Sequence, residues 1–182
     1  GLTVNMLRLT NSVGSGLTTR ITSLRHAITI LGRRQLQRWL QLLIYTNPKG
    51  GAQGVNPLLQ LAATRGRLME LLADRLMPRN REFADQAFMV GIMSLMPTLL
   101  GIQMDEILDQ LPVAPRVKQA LSEHSGQHGQ LLLLVAATEQ TDQTVLDDAR
   151  QRLPGISADF LGTCLALSLS WANNLGQERA VD

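Results

Sequence analysis

Apolar residues in this chain recur at the spacing of a helix, and no convincing stretch shows the alternation of a strand. Ile21, Leu24, Ile28 and Leu31 fall at i, i+3, i+7 and i+10, which places their side chains on one helical face. After Gly32, Leu36, Trp39, Leu40 and Leu43 form a second inward face. Arg34, Gln37, Arg38 and Gln41 share the opposite face at the same spacing, as an amphipathic surface helix requires. The Gly-, Pro- and Asn-rich segment 47–57 reads as an exposed loop.

A long helix is predicted over 57–77, with Leu58, Leu61, Ala62, Met69, Leu72 and Leu76 on one face and Pro78 as its stop. Arg65 interrupts that stripe and is expected to carry its charged end out to water. The segment 82–101 is apolar nearly all round in its second half, the mark of a buried helix, with Pro97 expected to kink its last turn. Shorter helices are predicted over 104–110, 115–123, 130–139 and 144–152. The last, over 157–174, opens with Ser157 as cap and packs through Phe160, Leu161, Cys164, Leu165, Leu167 and Trp171. The fold class is therefore all-α, a multi-helix bundle in one domain over 1–182.

The 182 residues can bury a core without disulfides or metal, and 45% of them are hydrophobic. Aromatic residues make up 3%, so aliphatic side chains and methionine must fill that core. The single cysteine, Cys164, rules out a disulfide within the chain, and a reducing, cytoplasmic setting is expected. No apolar run approaches the ~20 residues of a spanning helix, so no membrane partner is expected.

Charge is strongly segregated. Residues 1–69 hold nine Arg or Lys and no acid, whereas residues 70–182 hold eight basic residues and fifteen acids. Two readings stand: the halves neutralise each other on folding, or the basic half presents a surface to an anionic partner.

Tests for catalysis find little. His124 and His128 have the four-residue spacing of two ligands on one helix, but Gly126 and Gly129 argue for a loop, and no glutamate accompanies them. "SVGSG" at 12–16 lacks the preceding strand of a nucleophile elbow or phosphate loop. Asp105/Glu106 and Asp147/Asp148 are adjacent pairs that point apart on a helix. Helix–Gly–helix in "SLRHAITILGRRQLQRWLQ" leaves a helix-turn-helix nucleic-acid reader as an alternative, although aromatic stacking platforms are scarce.

The order of segments is distinctive. "LTVNMLRLTNSVGSGLTTRITSLRHAITILGRRQLQRWL" resembles the first block of the HDOD family, through Asn11, Ser12, Ile21, Ser23, Leu24, Ala27, Ile28, Leu31 and Gly32. "AFMVGIMSLMPTLLG" resembles the buried helix that carries the His-Asp metal pair in catalytic HD-type phosphohydrolases, and "LPVAPRVKQAL…GQHGQLLLLVAATEQTD" resembles the segment that follows. The combination is most similar to HDOD modules found downstream of EAL domains in bacterial signalling proteins.

The resemblance implies an HD-domain-like bundle that begins inside the family pattern, without its usual N-terminal helices, as a fragment of a longer chain. It places the lost metal-site positions at Arg65 or Gly66 and at Ser94 and Leu95, where the residues do not ligate metal. The implied function is a non-catalytic module, with no enzymatic activity and no cofactor, working through protein contacts with a partner, an adjacent EAL domain or a second copy. Its candidate contact surface is Arg33, Arg34, Gln37, Arg38 and Gln41. A degenerate HD-type metal-dependent phosphohydrolase is the alternative.

Overall fold

The computed structural model describes residues 57–110 and 113–174, and every element among them is a helix. In chain order these are α1 (Pro57–Leu76), α2 (Arg81–Met93), α3 (Met96–Leu100), α4 (Met104–Gln110), α5 (Pro115–Glu123), α6 (Gly126–Ala137), α7 (Gln143–Gln151) and α8 (Ala158–Asn174). The all-α expectation holds. The expected helices at 21–31 and 34–45 and the loop before 57 lie outside the described residues.

Three helices form the frame, and α1 lies at its centre. Its buried residues run from Leu59 through Ala63, Gly66, Leu68 and Glu70 to Ala73, so it is covered on more sides than the single apolar stripe implied. The chain reverses after Leu76, where Arg79 adopts a positive φ of 69° and Asn80 caps α2 by accepting from the Phe83 amide at 3.1 Å. Helix α2 therefore returns antiparallel along α1.

The α1–α2 crossing depends on two glycines. A Cβ on Gly91 would lie 2.7 Å from the Arg65 carbonyl and from the Gly66 Cα, and one on Gly66 would lie 2.8 Å from Ile92. The two backbones touch, with no layer of side chains between them.

Helix α8 packs on another side of α1, also antiparallel. Gln60 donates to Asn173 at one end, and the Arg75 guanidinium lies over the Phe160 ring, 5.5 Å from its centroid, at the other. Ser157 caps α8 as expected, accepting from the Phe160 amide at 3.2 Å. Phe88 of α2 meets Trp171 of α8 edge-on, with centroids 6.2 Å apart. The core between these helices and α6 is mostly aliphatic, with Leu68, Met69, Leu72, Met93, Leu131 and Leu134 fully enclosed.

Three local expectations need correction. The break in the 82–101 segment falls at Ser94–Leu95, ahead of Pro97, which sits in the first turn of α3. Proline is favoured there because its missing N–H is not required by the ladder. Helix α6 starts at Gly126 rather than at 130, so His128 is helical and buried, while His124 ends α5 in a left-handed conformation with φ of 52°. The glycines expected to make a loop instead permit this join: Gly126 takes φ of 70°, and a Cβ on Gly129 would strike the His124 backbone. Finally, Leu167 is 56% exposed and does not belong to the packing face of α8.

The close crossing yields a direct test. Gly91→Ala should destabilise the protein by about 2–3 kcal/mol, because the atoms it strikes are backbone and cannot rotate away. Gly162→Ala, in α8 with nothing within 4 Å of the added Cβ, should stabilise it by about 0.5–1 kcal/mol through helix propensity. Denaturant titration of the two variants against the parent reads both signs.

Candidate functional site

Because α1 and α2 touch at Gly66 and Gly91, the residues beside those glycines are held close together. Arg65 leaves α1 next to the contact, and Ser94 terminates α2 one turn beyond Gly91. The Arg65 Nη1 donates to Ser94 Oγ at 2.9 Å, and the Ser94 hydroxyl in turn donates to the Gly91 carbonyl at 2.7 Å. The other edge of the guanidinium forms a fork onto Glu139, with Nε to Oε1 at 2.7 Å and Nη2 to Oε2 at 2.6 Å. Glu139 lies just past the C-terminus of α6, so one cation joins three helices.

This corrects the expectation that Arg65 reaches for water. Its side chain is 14% exposed and Glu139 is 28% exposed, so the pair is partly desolvated and its bidentate geometry is the favoured one for arginine and carboxylate. Leu95 is buried beside Ser94. The structure thus joins Arg65 to Ser94 and adds Glu139 to the pair. Sequence reasoning missed Glu139 because 74 residues separate it from Arg65 and nothing in "ATEQTD" marks it.

The chemistry open to this cluster is limited by its donors. A guanidinium has no available lone pair and cannot ligate metal, and leucine offers no donor. Ser94 accepts from Arg65 and donates to a carbonyl, so no base is placed to activate it as a nucleophile. Among the described residues no group of three or more His, Cys, Asp or Glu could hold a metal ion. The arrangement ties three helices together through hydrogen bonds and one ion pair. Arg33, Arg34, Gln37, Arg38 and Gln41, the candidate contact surface, lie outside the described residues.

A second charged group lies deeper in the same frame. Glu70 of α1 is 1% exposed, accepts from Arg67 Nη1 at 2.7 Å, and has the Arg81 guanidinium 3.7 Å away. Burial pushes its carboxyl above the ordinary value of 4.5; the Arg67 hydrogen bond and charge oppose this, and Asp74 and Asp85 add to it. Cys164 is buried, and its thiol is likewise pushed up by burial, so it behaves as a small apolar side chain.

Comparison with known proteins adds the context. A family model described as the HDOD domain matches residues 1–107. The uncharacterized protein YuxH of Bacillus subtilis (strain 168) is 29% identical over 175 residues, which is 96% of this chain and 41% of that protein. The cyclic di-GMP phosphodiesterase CdgJ of Vibrio cholerae serotype O1 is 29% identical over 143 residues, 78% of this chain and 32% of that protein. The chain therefore spans well under half the length of these curated relatives. No solved structure matches it.

Two measurements check the electrostatics. Arg65→Met and Glu139→Gln should each cost about 1–3 kcal/mol, and the double variant should cost much less than their sum, since the lost partner is shared. The sign for Glu70 follows from its raised folded value: the native state binds the proton more tightly, so stability is highest at low pH within this window and declines as pH rises from 4.5 through the folded value. Glu70→Gln should flatten that decline in urea titrations across pH while leaving the neutral-pH stability equal or higher.

Proposed function

Taking as premise that the chain belongs to the HDOD domain family, we propose that it is a non-catalytic bacterial signal-transduction module acting through protein–protein contacts in the cytoplasm. The observation that carries this reading is the Arg65 guanidinium. At the position where the family resemblance places a lost metal ligand, it is engaged by Glu139 and Ser94 in a structural role. A polar cluster engaged in holding its own helices supports a role exercised through the surface.

The partner in this reading is an EAL domain of the cyclic-di-GMP phosphodiesterase class, either attached in the same protein or supplied by another chain. The name of the Vibrio cholerae relative supports that choice, and so does the share of its length that this chain leaves unmatched. The acid-free first 69 residues supply the complement to an acidic partner, and Arg33, Arg34, Gln37, Arg38 and Gln41 are the side chains proposed to make the contact, to such a domain or to a second copy. No helix among the described residues is long and apolar enough to cross a membrane.

Charge reversal at Arg34 and Arg38 together should weaken titrated binding to a purified EAL domain, or self-association in sedimentation, by about tenfold or more. Unchanged binding in both assays would remove the surface from consideration. The same preparation separates the alternatives: stoichiometric divalent metal would favour the degenerate phosphohydrolase, and steeply salt-dependent binding to DNA or RNA would favour the helix-turn-helix reading.

A further inference from the structure

The junction between α2, α5 and α6 forms a part-open cavity of about 260 Å³. Met77 and Phe83 form its apolar wall, and Arg116, Gln119, Gln127 and His128 supply its polar lining. It lies far along α2 from the Arg65 cluster, which sits at that helix's opposite end.

Two of these side chains have complementary roles. Arg116, in the first turn of α5, forms no salt bridge with any acid among the described residues. Of the two acids nearest along the chain, Glu123 accepts from the Ser125 hydroxyl at 3.1 Å and Asp109 pairs with Lys118 at 3.5 Å. His128 is 3% exposed; its Nε2 lies 2.9 Å from the Phe83 carbonyl, and its ring is packed on the Phe83 ring with centroids 4.2 Å apart.

A carbonyl accepts only, so Nε2 carries the proton and donates, which leaves Nδ1 of a neutral ring as a bare acceptor. Burial favours that neutral form by lowering the histidine below its ordinary value of 6.5, and the charge of Arg116 pushes the same way. The lining therefore combines a cationic side chain, two amide side chains and a histidine with one unprotonated nitrogen, beside a space with room for an oxyanion and several waters.

We infer that this cavity binds inorganic phosphate, with Arg116 holding an anionic oxygen and His128 accepting from a protonated one. The acceptor sets the selectivity. Inorganic phosphate keeps a proton in both forms present at neutral pH, whereas sulfate has none and a phosphomonoester is largely without one. Sulfate carries more charge on average than phosphate at neutral pH, so a merely electrostatic site would prefer sulfate.

The experiment is calorimetric titration of the whole protein with phosphate, sulfate and methyl phosphate at neutral pH and matched ionic strength. Saturable binding of phosphate, at least about tenfold tighter than either comparator, is expected. Arg116→Gln should abolish it, and since Arg116 is exposed, the variant should melt as the parent does in phosphate-free buffer. Absence of saturable phosphate binding, equal or tighter binding of sulfate or methyl phosphate, or phosphate binding that survives Arg116→Gln would each overturn the assignment.

Discussion

The contact of two helix backbones at Gly66 and Gly91 is the constraint from which most of the described structure follows. Side-chain layers normally hold helix axes 8–10 Å apart, and the atoms here leave no space even for a methyl group at the crossing. Bringing α1 and α2 so close fixes the spacing of everything attached to them. Arg65 can reach Ser94 only because its backbone lies against Gly91, and α6 docks across the pair with one polar anchor at each end, His128 on the Phe83 carbonyl and Glu139 on Arg65.

The charged groups inside this frame do different physical work. Arg65 and Glu139 satisfy each other in a fork at the margin of the core, where water still screens part of the cost. Glu70 sits where screening is nearly gone, with Arg67 and Arg81 approaching from the partly open side. The first pair orients helices. The second is an acid whose ionised form is opposed by its surroundings, so the same helix holds one electrostatic contact that favours the fold at neutral pH and one that weighs against it.

Much of the helical plan was legible in the sequence, because local chemistry sets local structure. Pro78, Ser157 and the periodic leucines of α1 mark boundaries that the backbone keeps. Family resemblance pointed to Arg65, Ser94 and Leu95, and of these the geometry links Arg65 to Ser94 by a hydrogen bond. Glycine was the residue most easily misread. Gly126 and Gly129 look like loop residues, yet one supplies a positive φ at a helix start and the other the room for that helix to begin against His124. Where apolar residues surround a helix, as in α8, period alone cannot rank them, and Leu167, which shares the apolar pattern, faces out. Glu139 had no local signature because its role exists only once distant helices meet.

The position of α8 along the chain has a consequence for how the protein is made. Gln60 in the first turns of α1 meets Asn173, 113 residues later, and the same two helices are joined again at Arg75 and Phe160. A growing chain leaving the ribosome exposes one face of α1 until α8 has been synthesised. Closing that contact carries the loop entropy of the long intervening chain, so the apolar face of α1 that α8 covers stays open until α8 has emerged.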